Sequence, residues 1–309
     1  MDLEVKNVDH RSVSSMMNFC RCKRKYFWAK QCGLEAPSPQ RDLAMRFGSA
    51  IHAGVPFTHT GSHRDFDSAM SAFAAEWGDG DEFQDKKRNT RTGRNVLLDL
   101  MQLHGDSFPL QMVEMEVQSE SDGKKTLHEV TAKVDFGLAS GKHVEMRVDG
   151  IGADKTTGAL SLVEYKTTSQ LWQTFGSIWT LNPQIETYCT GLILAGMAIT
   201  GSIVEGLLVA AGKTEVSVVP VSMIEDTMNG CLEWWCRNDR ELSQLEAEAE
   251  ANPLRWPMAR EACTPYPCFG LQGFVCEFQP LCMAGGKWQG LLGMFQVKEQ
   301  KKEKEAESE

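Results

Sequence analysis

Residues 143–168 read HVEMRVDGIGADKTTGALSLVEYKTT. Two alternating, β-branched runs, 143–151 and 159–167, flank the turn Lys155–Gly158, which predicts neighbouring strands. In the second run Glu164 and Lys166 stand two apart, so they face one side of a strand. Asp149 in the first run can reach that side. Two carboxylates and a lysine in one small space suit a divalent ion with a cation beside it, because Mg²⁺ prefers carboxylate oxygens and water. The same residues also fit a surface strand carrying an ordinary cross-strand Asp–Lys pair.

Outward from this stretch the texture changes twice. Toward the N-terminus the spacing of apolar residues predicts helices over 12–31, opened by Ser12, and over 42–55, 65–77 and 92–105. Strands are expected at 110–117 and 126–138. Toward the C-terminus a helix is expected over 183–198, with Pro183 at its first position. Strands at 202–211 and 214–221 follow, then a long helix over 223–250. This order predicts an α/β core with a helical N-terminal region packed against it. The linear division is 1–108 helical, 109–250 core, 251–290 Cys-rich and 291–309 a charged tail expected to be disordered. Gly206-Leu-Leu-Val-Ala-Ala-Gly212-Lys213-Thr214 imitates a phosphate loop, but it has one residue too many between the glycines and a strand after it.

The 309 residues carry 32 Lys and Arg against 42 Asp and Glu, a net charge of −10 that argues against a surface coated by nucleic acid. The balance is local: residues 1–100 are net +2 and the remainder −12. Two basic runs stand out, Arg21, Lys23, Arg24, Lys25 and Lys30, and Lys86, Lys87, Arg88, Arg91 and Arg94. They read either as two solvated helix faces or, with Tyr26, Phe27 and Trp28 interleaved, as a path that tracks phosphates. No apolar run has the length of a membrane span, and the start MDLEVKNVDHR lacks an apolar signal segment, which predicts an intracellular protein with no membrane partner.

Ten cysteines in such a chain suggest metal rather than disulfides. Four of them, Cys263, Cys268, Cys276 and Cys282, fall within the twenty residues CTPYPCFGLQGFVCEFQPLC, a Gly-, Pro- and aromatic-rich loop whose thiolates can converge on one ion. The alternative is a set of small buried hydrophobes, which is the reading for Cys32, Cys189, Cys231 and Cys236.

Further blocks join the first stretch in a fixed order. SVSSMMNFCRCKRKYFW, RFGSAIHAG, RVDGI, VEYKTT and QIETY together resemble the PD-(D/E)XK nuclease superfamily. The closest likeness is to its RecB-type branch, with the iron–sulfur AddB, CRISPR-adaptation and phage exonucleases. The resemblance runs from about residue 12 to 283. Lys23 stands where the branch usually has proline, and Glu164 is the acidic member of the (D/E)XK pair. The resemblance implies a restriction-endonuclease-like fold, a mixed central sheet flanked by helices, with a C-terminal Cys-rich loop. It implies that His52, Asp149 and Glu164 bind Mg²⁺ or Mn²⁺, that Lys166 positions water beside Thr167, and that Gln184 and Tyr188 orient the strand or the lysine. Arg24, Lys25, Tyr26, Lys87, Arg88 and Arg91 are then expected to meet nucleic acid. It also implies a 4Fe–4S cluster on Cys22, Cys276, Cys282 and either Cys268 or Cys263, with zinc as the alternative metal and Cys20 a weaker substitute for Cys22. Such a clasp would close a loop of about 250 residues and act mainly on the unfolded chain. The function implied is a DNA exonuclease acting on single strands or DNA ends, in phage or bacterial recombination and repair, in the cytoplasm. The alternatives are an endonuclease, a CRISPR-adaptation-type processing nuclease, or a non-catalytic DNA-binding subunit. No motor motif is present, so a helicase or recombinase would be a separate partner.

Overall fold

The computed structural model describes residues 10–35, 39–59, 64–78, 85–113, 115–117, 125–127, 130–169, 175–249, 252–257 and 276–297. By contact the chain falls into two units, one of residues 38–137 and 143–235, the other of residues 1–37, 138–142 and 236–309. The expected charged tail lies largely outside the described residues.

The larger unit is mixed α/β, as the sequence implies. Its five-stranded sheet has the order Lys213–Ser222, Ile199–Ala210, Leu160–Thr168, Gly150–Asp154, Leu110–Met112. The pair Leu160–Thr168 and Ile199–Ala210 is parallel, and the other pairings are antiparallel. A parallel pair needs a crossover, and helix Pro183–Leu194 lies in that connection, with Pro183 at its start and the Asn182 side chain accepting from the Gln184 amide. On one face of the sheet Val163, Tyr165, Leu207 and Val209 are buried in a core with Phe47, Ile51, Phe73, Trp77, Leu97 and Leu100. These come from helices Pro39–Gly54, Phe66–Trp77 and Thr90–Leu103. Each such side chain contributes roughly 1.5–3 kcal/mol by leaving water. The helix starts are specified locally: Asp65 accepts from the Asp67 and Ser68 amides, and Asn89 from the Thr92 amide. Gly54 and Gly93 are needed for packing, since a Cβ there would lie 2.9 Å from the Ala69 carbonyl and 2.3 Å from the Phe73 ring.

The run read as one strand over 143–151 is two strands. His143–Val148 pairs with Val130–Val134, whereas Gly150–Asp154 pairs with Leu160–Thr168. Asp149 occupies the break where the chain leaves one pairing for the other. The register that sets Gly150 against Val163 sets Asp149 level with Glu164.

The smaller unit gathers early and late parts of the chain. The helix expected over 12–31 is interrupted: Val13–Arg21 ends at Cys22, whose backbone is extended, and Lys23–Tyr26 continues into a wide turn over Phe27–Gln31. Tyr26 and Phe27 pack on Trp256, and Trp28 packs on Trp288. Leu34–Glu35 pairs antiparallel with Gln296–Val297. Arg11 is buried and donates to Asp239, Ser243 and Glu246 on the later half of helix Glu225–Ala249. No helix among the described residues is long and apolar enough to cross a membrane.

Candidate active site

Four side chains singled out in the sequence meet in the larger unit. Asp149 is held at the strand break by the Tyr165 amide, which donates to Oδ2 at 3.0 Å. Its Oδ1 lies 3.4 Å from Nδ1 of His52. His52 sits near the end of Pro39–Gly54, one helical turn after Gly48. A Cβ at Gly48 would stand 3.3 Å from the Thr167 hydroxyl, so the missing side chain lets this helix lie close to the lysine strand. Glu164 and Lys166 form an ion pair through Oε1, and the same oxygen accepts from Gln184 Nε2 at 2.9 Å. Tyr188 follows Gln184 by one helical turn on helix Pro183–Leu194. Of the expected i,i+4 pair, Gln184 reaches Glu164.

The charges are unevenly met. Glu164 is 1 % exposed, and its Oε2 has no partner among the described residues. Burial, reinforced by the charge of Asp149, pushes its carboxyl up, and Lys166 only partly offsets this. Burial also pushes Asp149 up, but His52, Lys166 and the Tyr165 amide outweigh it and hold the carboxyl low. For His52 burial works against protonation, while Asp149 prevails and raises its pKa. Lys166 is likewise opposed by burial and raised by Glu164 and Asp149.

Among the described residues no group of three or more His, Cys, Asp or Glu side chains stands ready to hold a metal ion. The donor chemistry still fits a divalent cation. One imidazole and two mutually repelling carboxylates lie near one another, and one buried carboxylate oxygen lacks a donor among the described residues.

Trp179 carries the Lys166 ammonium 6.0 Å from its ring centre, a contact not visible in the sequence. Behind the strand the Tyr165 hydroxyl meets His59 Nε2 at 2.6 Å, and His59 stacks on His104 at 3.8 Å. His104 reaches Glu205 at 2.9 Å. Four distant segments build this buried polar cluster, and no local motif announces it.

The expected nucleic-acid residues divide. Lys87 and Arg91 are exposed, and Arg88 pairs with Asp85. Lys25 pairs with Glu277 at 3.4 Å. Arg24 and Tyr26 require correction. Arg24 is buried and donates to the Trp256 and Leu254 carbonyls, and the Tyr26 ring is packed between Phe19 and Trp256. Both lie on the short helix Lys23–Tyr26 that follows the break at Cys22, on the side that packs against Leu254 and Trp256.

In the smaller unit burial pushes the Cys282 thiol up to about 11, and Cys22 and Cys276 both lie near enough to add to the effect. Cys22 Sγ accepts from the Lys25 amide at 3.4 Å. Cys20 is exposed. Cys263 and Cys268 lie outside the described residues.

A mixed sheet with a strand-break aspartate, a Glu-x-Lys strand and a Gln-x-x-x-Tyr helix over it defines a nuclease core. The chain belongs to the PD-(D/E)XK nuclease superfamily, whose sequence pattern matches residues 10–282. No curated protein matches it. Among solved structures it is similar to a candidate exonuclease from Eubacterium rectale, at 14 % identity, with 77 % of this chain and 82 % of that one covered and a TM-score of 0.46. It is also similar to SSO0001, at 13 % identity, with 78 % of each chain covered and a TM-score of 0.32.

Proposed function

We propose that the protein is a metal-dependent deoxyribonuclease that removes nucleotides from single-stranded DNA or DNA ends during phage or bacterial recombination or repair. One observation carries this reading: His52, Asp149, Glu164 and Lys166 converge, and a buried Glu164 oxygen has no partner among the described residues. His52, Asp149 and Glu164 would hold Mg²⁺ or Mn²⁺. Such an ion, when bound, lowers the pKa of water and screens charge on the phosphate. Lys166 holds the attacking water and balances negative charge as it develops. Gln184 fixes the Glu164 carboxylate, and Tyr188 orients the strand or the lysine. The Gln184/Tyr188 block and its likeness to the RecB-type branch support action on ends.

Digestion of end-labelled single- and double-stranded DNA with Mg²⁺ or Mn²⁺ tests the reading. Stepwise shortening from an end is expected. Internal cuts would turn it toward an endonuclease, and a folded protein that cleaves neither substrate would sink it.

We also infer that Cys22, Cys276 and Cys282, with Cys268 or Cys263, hold a 4Fe–4S cluster that clasps the smaller unit. The support is that Cys22 and Cys276 each lie near enough to Cys282 to raise its thiol, together with the amide donated to Cys22. Anaerobic purification should yield about four irons per chain, and zinc alone would contradict it.

A further inference from the structure

The Gly212-Lys213-Thr214 run is not a nucleotide loop. It forms the tip of the hairpin between Ile199–Ala210 and Lys213–Ser222, with Gly212 at φ 74° making the turn. The tip nevertheless closes one side of a cavity of about 190 Å³. The other side is the start of helix Thr90–Leu103. Lys86 and Arg91 enter from the helix side and Lys213 from the hairpin, with Asn89 and Thr214 between them; no carboxylate is among the described residues lining the cavity, although the Thr214 hydroxyl donates to Asp99 beside it.

Three cations around one concave space are exceptional in a chain of net charge −10. Lys213 pairs with Glu215 at 2.7 Å, but both are exposed, and such a pair is weak enough to be shared with an incoming anion. The helix start adds its positive dipole end. An arginine supplies paired donors to phosphate oxygens and lysines supply point charges. The location also fits. Gly206 stands beside Lys166 in the parallel ladder, and Ala210 begins the hairpin tip four residues further. At ~3.3 Å per residue that is about 13 Å along the sheet, and a strand reaching both would pass over the end of the sheet, because Lys166 lies on the Gln184 face and the cavity on the face of helix Thr90–Leu103.

We propose that this cavity binds a phosphate of the strand being cleaved, holding the substrate at a point beyond the catalytic cluster. The proposal rests on the nuclease reading, but its test does not require cleavage. Binding of a fluorescent single-stranded oligonucleotide to the full chain is measured in EDTA over a range of salt. Arg91→Ala and Lys213→Ala should each weaken binding several-fold and lower the slope of log affinity against log salt by about 0.7. Lys213→Arg keeps the charge and should retain binding. Lys155→Ala removes one charge from the turn at the other end of the lysine strand and should change neither quantity.

Weakening on 5′-hydroxyl oligonucleotides assigns the cavity an internal phosphodiester. Weakening confined to 5′-phosphorylated ones assigns it the terminal phosphate. The proposal is overturned if Arg91→Ala and Lys213→Ala behave as Lys155→Ala does, if Lys213→Arg fails as Lys213→Ala does, or if the wild-type chain binds neither oligonucleotide. Digestion of the same oligonucleotides with Mg²⁺ judges the nuclease reading separately. Cleavage with unchanged variant binding removes the cavity alone, and binding without cleavage removes the activity alone.

Discussion

Asp239 and Glu164 are both carboxylates removed from water, at 0 % and 1 % exposed, yet their surroundings differ. Asp239 in the smaller unit receives the Arg11 guanidinium at 2.9 Å and both the amide and hydroxyl of Ser140. Both of its oxygens are satisfied. Glu164 in the larger unit receives Lys166 and Gln184 on one oxygen and, among the described residues, nothing on the other. The first arrangement completes a buried ion pair and holds segments together. The second leaves a negative site underfilled beside a like charge, a stability cost accepted where function needs a cation. Glu205 falls between them, buried with His104 as its hydrogen-bond partner.

The comparison breaks first in activity. Lys166→Ala or Glu164→Gln should lower cleavage of end-labelled DNA by about 10²–10³-fold, whereas a conservative change at Asp239 that leaves the protein folded should not act on the chemical step. In stability the order reverses. Asp239→Ala leaves Arg11 with Glu246 but takes the acceptor from Arg11 Nε and from the Ser140 amide and hydroxyl, and should cost about 1–3 kcal/mol in denaturant unfolding. Glu164→Gln in EDTA should cost less than about 1 kcal/mol, since it removes a poorly met charge and keeps the shape. Equal losses for the two would erase the distinction.

Glu205 sharpens it through pH. Burial pushes Glu205 up to about 8 and His104 down to about 3, from 4.5 and 6.5. Below about pH 4.5 the unfolded chain holds the extra proton on histidine, so the pair makes stability rise with pH. Between about 4.5 and 6.5 the two differences cancel. Above about 6.5 the folded protein keeps a proton that the unfolded chain has lost, so stability falls by about 2 kcal/mol up to pH ~8. Glu205→Gln should abolish that fall in urea unfolding at pH 6 and 8. The smallest effect belongs to the surface: Lys23 and Glu241 form a partly exposed pair, and Lys23→Ala should shift stability by less than about 1 kcal/mol.

Much of the candidate site was legible because its signals are local. The two-residue spacing of Glu164 and Lys166 places them on one face of any strand, and the four-residue spacing of Gly48 and His52, or of Gln184 and Tyr188, places each pair on one face of any helix. Pro183 and Ser12 marked helix starts through backbone chemistry that acts within a turn. The strand containing Asp149 was harder, since period-two alternation runs unbroken through 143–151 and carries no sign that the chain changes partner at Asp149. The basic run near Arg24 misled for a similar reason. Charge counts assume a continuous helix with a wet face, and Arg24, on the short helix after the break at Cys22, lies inward.

The amino-acid order alone therefore determined the element types, the face-sharing pairs and the family, all of which depend on spacings of about one helical turn or less, or on blocks in sequence. Only the tertiary structure decided which charges are met. The Arg11–Asp239 pair, the stack of His59 on His104, the bond from Gln184 to Glu164 and the shared cavity of Arg91 and Lys213 each join residues about twenty to hundreds of positions apart. Burial and pairing across such separations come from packing, which no local periodicity encodes.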